Sequence, residues 1–329
     1  MTATGARSAA PPDEPVGRFI EAIERLAPED GRIGLAVSGG PDSMAMLLLA
    51  HAAIPGQFEV ATVNHGLRPE SAEECALVAL ACAELEIPCA ILTVEVGQGN
   101  LQEQARVARY EALGAWAKER GLSAVATAHH ADDQAETLVM RLNRGSGLSG
   151  LAGVRPRTMI GVTTFIRPLL RFRRSELAKL VESSDLVFVT DPSNENESFD
   201  RVRIRKVLAE ADWLDPLAVA RSAELLAEAE FYVSDALNRC WQASVQATED
   251  GYRYRPGYSS FENGEIVLHI LQAMGNYTAR SDVARVVERL WRGENASLGG
   301  TLGVPGVERN GEGVDGRIWV FRPEPPRSG

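Results

Sequence analysis

The sequence lacks any apolar run that approaches the roughly 20 residues of a transmembrane helix. Its first residues, Met1–Glu14, are small and polar and include prolines, without the basic start and apolar stretch of a secretory signal. We therefore predict no membrane partner, a cytoplasmic location and a flexible N-terminal lead-in over residues 1–15.

Cysteine is scarce, and the four cysteines form no C-x-x-C pair. Three of them recur every seven residues, across an expected helix and the strand after it. This spacing disfavours zinc or iron–sulfur ligation. We predict buried free thiols in a reducing compartment. The residues concerned are Cys75, Cys82, Cys89 and Cys240.

Basic residues are fewer than acidic ones: the sequence has 34 Lys and Arg and 45 Asp and Glu, which gives a net charge of −11. Bulk charge therefore argues against a nucleic-acid partner. One segment, Thr137–Glu182, reverses the balance with nine basic residues against two acidic ones. A concentrated basic surface can hold a phosphate backbone, and a merely solvated basic face is an equally good interpretation of this feature alone.

Short apolar segments alternate with longer helical ones in the first part of the chain. This alternation is typical of a parallel sheet with helices on both faces. Ligands bind such sheets beyond the carboxyl ends of the strands, so informative residues should follow strand ends. The predicted strands are Arg32–Val37, Phe58–Val63, Cys89–Val94, Leu122–Ala128 and Met159–Ile166.

The pattern changes near Asp212–Pro216. We predict a catalytic α/β domain over residues 16–215, followed over residues 216–329 by a helical linker and a small α/β domain. The expected later elements are a long helix Ala218–Gln246, helices Glu262–Met274 and Arg280–Arg292, a glycine-rich stretch Leu298–Gly316 and a strand-like Arg317–Phe321.

A tight glycine turn follows the first predicted strand. Backbone N–H groups of such a turn point at a ligand, and the dipole of the helix after it favours an anion. Glycines let the backbone approach phosphates closely. The hydroxyls of Ser38 and Ser43 can donate, and Asp42 can hold a Mg²⁺ that bridges phosphate oxygens. The turn consists of Ser38, Gly39, Gly40, Pro41, Asp42 and Ser43.

Two common phosphate motifs do not fit this turn. It has no Walker lysine and no G-x-G-x-x-G spacing. A capped strand-to-helix turn would explain two glycines alone, but the full S-G-G-x-D-S string is more specific. It resembles the PP-loop of the ATP-pyrophosphatase superfamily, also called the adenine nucleotide alpha hydrolase-like fold. Members of that superfamily cleave ATP to AMP and pyrophosphate.

A second cluster of polar residues leaves the fourth predicted strand, at Thr127–Thr137. Asp133 and Glu136 are three apart and share a helical face, and His129 can reach the same space. The carboxylates could hold Mg²⁺, or bind an amine and help to take its proton. Alternatively, Asp132 is only an N-cap and the other acids only complement the helix dipole. The position at the ligand edge of the sheet favours a functional cluster.

The string H-H-A-D-D-Q-A-E-T in this cluster resembles the tRNA(Ile)-lysidine synthase family. The glycine-rich tail resembles the family's first C-terminal domain, and we expect a second one to be missing, as in short members. Further blocks occur in the family's order between about Ile33 and Leu208: Val63–Arg68, Ala105-Arg106 with Arg109-Tyr110, Arg141–Gly147 with Gly150-Leu151, Arg167–Leu170 and Asp191–Asn194.

The resemblance implies ATP and Mg²⁺ as cofactors, and free L-lysine and a tRNA(Ile) with a CAU anticodon as partners. ATP would adenylate the 2-carbonyl oxygen of the wobble cytidine with loss of pyrophosphate. The ε-amine of lysine would then attack that carbon, AMP would leave, and lysidine would result. The resemblance also implies tRNA binding by residues 216–329 and a homodimer.

Residue roles follow from the same resemblance. The Ser38–Ser43 turn would hold the ATP phosphates, with Asp42 and Asp133 on Mg²⁺. Asp133 and Glu136 would place the amine and the cytidine. His129 and Arg109 would contact the reacting phosphate or the adenylated base. The arginines of a family R-N-x-I-R motif, suited to phosphate, would touch tRNA or the α-phosphate; they are Arg201, Arg203 and Arg205.

Two positions depart from the family, and two alternatives remain. Val202 stands where the family usually has Asn, and Thr62 stands where His is frequent. A tRNA 2-thiolation enzyme of the same superfamily would need a cysteine pair or an iron–sulfur cluster. A non-catalytic ATP- or RNA-binding module would not need the intact acids. Surface salt bridges are the plain alternative for Arg109 and Arg201.

Overall fold

The computed structural model describes residues 11–28, 31–66, 70–95, 97, 101–184, 186–189, 200–309 and 315–325. Leu67, Arg68 and Asp191–Asn194, which belong to the family-like blocks, lie outside these residues, as does most of the predicted lead-in. The chain forms two compact units, Met1–Glu228 and Ala229–Gly329. Among the described helices, none combines the length and apolarity of a membrane span.

The first unit contains a six-stranded sheet with the order β3-β2-β1-β4-β6-β5. All neighbouring pairs are parallel except β5 with β6. The prediction of a mostly parallel α/β sheet is therefore confirmed. The strands are β1 (Ile33–Ala36), β2 (Phe58–Asn64), β3 (Cys89–Thr93), β4 (Ala124–Ala126), β5 (Arg157–Ile160) and β6 (Thr163–Ile166).

The prediction of one strand over Met159–Ile166 is wrong, because this segment is part of a hairpin. Gly161 has a φ of +59°, and the chain reverses there so that β5 runs antiparallel to β6. Glycine at the first position of a two-residue loop is typical of a hairpin turn. β6 is buried throughout, whereas β5 alternates between exposed and half-buried residues at the edge of the sheet.

Helices cover both faces of this sheet. Residues Met44–Ala50 of α2 are buried in a core with Leu35 and Phe58. On the other face, Leu113 of α4 belongs to a second core. The helices are α1 (Asp13–Leu26), α2 (Pro41–Ala53), α3 (Glu70–Glu84), α4 (Leu101–Arg120), α5 (Ala131–Asn143), α6 (Leu148–Leu151), α7 (Arg174–Glu182) and α8 (Asp200–Glu210).

The start of the first unit differs from the predicted lead-in, and the start of α2 is set by a proline. α1 starts at Asp13, so residues 13–15 of the predicted lead-in are helical. Asp13 and Glu14 favour a helix start because acids complement the dipole, and Pro15 is tolerated in the first turn. α2 starts at Pro41, with proline at a position for which its fixed φ is suited.

A long helix, α9 (Pro216–Ser244), continues from the first unit into the second. The second unit has an antiparallel sheet with the order β7-β8-β11-β10-β9. Its core packs Trp319 and Phe321 with apolar residues of two helices. The remaining elements are β7 (Val245–Ala247), β8 (Tyr252–Tyr254), α10 (Ser260–Ala273), α11 (Arg280–Trp291), β9 (Ala296–Leu298), β10 (Thr301–Arg309) and β11 (Asp315–Pro323).

The glycine-rich stretch Leu298–Gly316 contains strand β10, which was not predicted. Glycine weakens a strand by itself, but it permits close packing where a side chain would not fit. A Cβ on Gly303 would lie 3.1 Å from Cε1 of Phe321 and 3.3 Å from both terminal methyl carbons of Leu290. The glycine therefore serves the packing of this sheet against α11.

Gly34 offers a test of the contact between β1 and α4. A Cβ there would lie 2.4 Å from Cζ3 of the buried Trp116. We expect Gly34→Ala to lower the free energy of unfolding by about 1–3 kcal/mol through overpacking. Gly17→Ala is the control, because Gly17 is an exposed residue of α1 and a Cβ added there would have no other atom within 4 Å. It should raise stability by about 0.5–1 kcal/mol. Equal effects of the two alanines in thermal unfolding would contradict the close contact.

Candidate functional site

The strand order brings two polar segments together at the carboxyl edge of the first sheet. β1 pairs directly with β4, with Leu35 opposite Ala126. The Ser38–Ser43 turn follows β1, and Thr127–His130 follows β4. Residues far apart in the chain therefore meet at the edge where ligands bind parallel sheets.

The Ser38–Ser43 turn is held by its own hydrogen bonds. The Ser43 hydroxyl donates to the Gly40 carbonyl oxygen at 2.9 Å and accepts from the Ser38 backbone N–H at 3.1 Å. Gly39 has a φ of +85°, and a Cβ there would lie 3.4 Å from Cγ2 of Val78. The N-cap residue Gly40 has no side chain to cap the first N–H groups of α2. The turn is therefore rigid and leaves this helix start open to an anion.

His130 connects the two segments. Its ring is 3 % exposed, and Nε2 lies 3.4 Å from Oδ2 of Asp42 and 3.6 Å from Oδ2 of Asp133. Both predicted metal-binding carboxylates therefore lie against one ring nitrogen. Sequence reasoning gave a role to His129 and missed this one. The signal available was the position of His130 directly before the helix.

His130, rather than Asp132, is the N-cap of α5. Its Nδ1 accepts from the Asp133 backbone N–H at 3.4 Å, and its own backbone N–H donates to Oδ2 of Asp133 at 3.1 Å. Asp132 instead accepts from the Arg174 backbone N–H at 2.8 Å and from the Arg173 guanidinium. The alternative of Asp132 as the N-cap is therefore wrong, because its carboxylate ties α5 to the start of α7.

The charges in this pair of segments reinforce each other. Burial lowers the pKa of His130, but the hydrogen bond to Asp42 and the charges of Asp133 and Asp132 outweigh it, so the pKa is raised. Burial has the opposite effect on Asp133 and raises its pKa. The charges of His130 and Arg201 outweigh burial, so the pKa of Asp133 is lowered. The arrangement therefore keeps Asp133 ionised.

Glu136 is 2 % exposed and is held by two arginines of α8. Nε of Arg201 donates to Oε2 at 2.6 Å, and Nε of Arg205 donates to Oε1 at 2.6 Å. Arg201 also donates from Nη2 to Oδ1 of Asp133 at 2.8 Å. Arg203 instead pairs with Asp200. The structure therefore joins two of the three motif arginines to the predicted carboxylates.

Val202 is 7 % exposed, so the apolar residue at this position of α8 packs inside the unit. Thr62, the other departure from the family pattern, is buried and donates its hydroxyl to Sγ of Cys75 at 3.5 Å. Neither substitution leaves an unpaired group at the site. All four cysteines are free thiols.

His129 lies at the end of β4 among cations. Its Nδ1 is 3.0 Å from the Thr127 hydroxyl oxygen. Burial lowers the pKa of His129 to about 3, against the attraction of Asp133 and with the help of Arg167, Arg109 and Arg201. The ring is therefore neutral at physiological pH. Arg109 is exposed on α4, with its guanidinium carbon 5.4 Å from the centre of the Tyr110 ring.

Asp42 has one oxygen suited to a cation. Its Oδ1 is buried and accepts no hydrogen bond from the residues described, while Oδ2 faces His130. Among those residues, no group of three or more His, Cys, Asp and Glu is arranged around one metal position. A Mg²⁺ ion commonly has only one or two carboxylate ligands and takes the others from phosphates and water. The site therefore fits Mg²⁺ bound together with a nucleotide.

Gln134, on the buried side of α5, holds the chain after α6. Its Nε2 donates to the Val154 carbonyl oxygen at 2.7 Å, and its Oε1 accepts from the Val154 N–H at 2.7 Å. Gly153 has a φ of +61°, and a Cβ there would lie 2.4 Å from Oε1 of Gln134. Sequence reasoning missed this residue, although an amide between the buried Ala131 and Ala135 was a signal of a specific partner.

Comparisons with known proteins show which family the chain resembles. A family model described as a PP-loop domain matches residues 15–211. A tRNA(Ile)-lysidine synthase of Novosphingobium aromaticivorans is 49 % identical over 243 residues, which are 73 % of this chain and 74 % of that protein. One of Zymomonas mobilis is 37 % identical over 321 residues, 94 % of each chain.

A solved structure shares the fold. The U34-tRNA thiolase NcsA from Methanococcus maripaludis, solved with its [4Fe-4S] cluster, superposes with a TM-score of 0.55 at 18 % identity. The match covers 65 % of this chain and 79 % of that one. At this identity the likeness concerns the fold alone.

The Gln134 contacts lead to a stability prediction. Gln134→Leu keeps the approximate shape but leaves the Val154 N–H and carbonyl without partners, and each buried unpaired group costs about 1–3 kcal/mol. We expect a clear fall in the melting temperature. Gln57→Leu, the same change at an exposed turn residue of the first unit, should leave it within about one degree. A melting temperature unchanged by Gln134→Leu would show that this amide does not anchor the segment.

Proposed function

The chain belongs to the tRNA(Ile)-lysidine synthase family of PP-loop proteins, and we propose that it joins lysine to the wobble cytidine of a tRNA(Ile) with a CAU anticodon. ATP would first adenylate the 2-carbonyl oxygen of the cytidine with release of pyrophosphate. The lysine ε-amine would then displace AMP to give lysidine. The meeting of the Ser38–Ser43 turn with the Asp133 and Glu136 cluster carries this proposal.

The PP-loop domain implies ATP binding. The open start of α2 and the Ser38–Ser43 turn are suited to the phosphates, since uncapped N–H groups attract anions. Mg²⁺ would be held by Asp42, whose Oδ1 lacks a partner among the described residues, with Asp133 nearby on the same His130 nitrogen. The ion would neutralise charge on the leaving pyrophosphate.

Asp133 supplies negative charge for the second substrate, and Glu136 acts through the arginines that it holds. The lowered pKa of Asp133 keeps it ionised, so it can attract the lysine ammonium. That amine must lose a proton before it attacks, and a carboxylate within hydrogen-bond reach can accept it. Glu136 already accepts from Arg201 and Arg205, so its part in this proposal is to orient these arginines toward the tRNA or the α-phosphate.

His129 and Arg109 suit the reacting carbonyl and phosphate. A neutral imidazole can hydrogen-bond a pyrimidine base or a phosphate oxygen without adding charge. Arg109 is exposed, and its positive charge acts on the imidazole ring of His129. His129 would contact the reacting carbonyl, and Arg109 would contact the adenylated base or a phosphate beside it.

The basic segment Thr137–Glu182 is the proposed tRNA surface of the first unit. Arg144 and Arg171 pair with acids. Arg141, Arg157 and Lys179 are exposed, and the described residues offer them no ion pair. Their charges are therefore available for phosphates. We also propose tRNA binding by the C-terminal region, and a homodimer, on the grounds of family membership.

Lysine incorporation is the direct test of this function. We expect the purified protein, with ATP and Mg²⁺, to attach labelled lysine to an unmodified tRNA(Ile) transcript bearing CAU. A transcript with a different wobble base is the matched control and should stay unlabelled. Failure to label the CAU transcript, with the protein folded and ATP bound, would rule out the proposal and leave a non-catalytic module.

Asp42→Ala separates catalysis from tRNA binding. Loss of the unpaired carboxylate oxygen should reduce pyrophosphate release at least ~100-fold, since it removes the proposed Mg²⁺ ligand. The dissociation constant for tRNA should change less than about twofold, because the proposed tRNA surface, Thr137–Glu182, does not include Asp42. Asp13→Ala, at an exposed residue of α1, should change neither quantity. If Asp42→Ala lost pyrophosphate release and tRNA binding to the same extent, Asp42 would instead maintain the structure.

A further inference from the structure

Three arginines gather around Tyr110, whose ring packs against β6. Arg106 and Arg109 lie on α4, each with its guanidinium carbon 5.4 Å from the centre of the Tyr110 ring. The Tyr110 ring packs edge-on against Phe165, with ring centres 4.8 Å apart. Arg167 follows two residues later at the end of β6, so its side chain shares the face of the sheet with Phe165.

The surroundings of Arg167 agree with this placement. It is 5 % exposed, and Nη1 donates to two neutral acceptors, the Arg155 carbonyl oxygen at 2.7 Å and the Thr158 hydroxyl at 3.0 Å. Its Nε is buried, and within the described part of the chain no acceptor meets the geometry of a hydrogen bond to it. Burial lowers the pKa of Arg167, Tyr110 acts against this, and the charge of Arg106 lowers the pKa further.

No described carboxylate forms an ion pair with any of these three arginines. Elsewhere in the unit, arginines near rings or in the interior do have acids. Arg18 lies 4.0 Å from the centre of the Phe172 ring and pairs with both Glu14 and Glu176. Burying a guanidinium without a counter-charge is costly. Arg106 and Arg109 also repel each other, because residues three apart share a helical face.

The missing counter-charge points to an anionic ligand. The position of the arginines in the sheet distinguishes between the ATP phosphates and another anion. The sheet order β1-β4-β6 puts the end of β6 two strands, or about 10 Å, from the turn that follows β1. His129, at the end of β4, lies between. The phosphates that the turn would hold are therefore on the other side of His129 from Arg167 and from Phe165, against which Tyr110 packs.

We propose that Arg106, Arg109 and Arg167 form a binding site for a backbone phosphate of the substrate RNA, next to the nucleotide that reacts at His129. Arg106 and Arg109 are exposed and make the contact. Arg167 supplies a buried charge behind them, and the Tyr110 ring sets their position. This site rests on the proposed function, and it gives Arg109 a partner in phosphate binding.

Arg106→Gln tests the site without disturbing the core, because Arg106 is exposed. Binding of the tRNA(Ile) transcript is measured between 50 and 200 mM KCl, with log Kd plotted against log salt. Each phosphate contact contributes about 0.7–0.9 to the slope, so the slope should fall by about that amount. Affinity at 50 mM should fall about three- to tenfold, with the KM for ATP within twofold. Arg106→Lys keeps the charge and should keep the slope.

Arg18→Gln is the matched control. It removes an arginine that also lies over an aromatic ring but is already neutralised by two glutamates. Its slope should equal that of the unaltered protein. An unchanged slope in Arg106→Gln would overturn the RNA-phosphate site. A raised KM for ATP with an unchanged slope would assign the anion to the nucleotide and overturn it equally. If the unaltered protein incorporates no lysine, that result counts against the proposed function. The salt dependence of tRNA binding would still test the phosphate site.

Discussion

The contact of His130 with Asp42 and Asp133 is the interaction on which the rest of the site depends. It links the turn after β1 to the helix after β4, and it lies in a position where the ring is almost fully buried. The same ring caps α5 and so sets the direction in which that helix leaves the sheet. Glu136 and Gln134 are placed by the same helix. The phosphate turn, the acidic cluster and the anchored segment at Val154 are therefore parts of one arrangement.

The site has to accommodate two kinds of charge, and the structure separates them across β4. Acids lie on the side of the turn, where a metal ion and an ammonium group are expected. Arg167, for which the described residues offer no acid, lies toward β6, and Arg106 and Arg109 lie near the Tyr110 ring that packs on that strand. The neutral ring of His129 stands between the two regions. A charged ring there would add to the crowded cations, so burial and the arginines both favour the neutral form.

The sequence was sufficient for features that depend on local pattern. Strands alternating with helices, the Ser38–Ser43 turn and the order of the family-like blocks all predicted the sheet and its ligand edge. It was insufficient where a distant partner decides. His129 and His130 are adjacent, and only the packing of β4 against β1 shows which ring faces Asp42. The pairing of Arg201 and Arg205 with Glu136 needs α8 to pack on α5, and no local pattern predicted that helix. The hairpin at Gly161 was missed for a related reason, since its two strands, Arg157–Ile160 and Thr163–Ile166, are each only four residues long and are separated by only two residues.

Net charge was misleading for the same physical reason. A chain with a charge of −11 would be repelled by RNA if its charges were spread evenly. They are not, because the segment Thr137–Glu182 holds nine basic residues and only two acidic ones. Paired charges contribute little to the field felt by a ligand, and screening removes most of what remains beyond about 10 Å at 0.1 M salt. The electrostatic potential at an RNA-binding surface is therefore set by the arginines for which the described residues offer no acid. Their position at the edge of the sheet, beside the reacting centre, matters more than the sum over the chain.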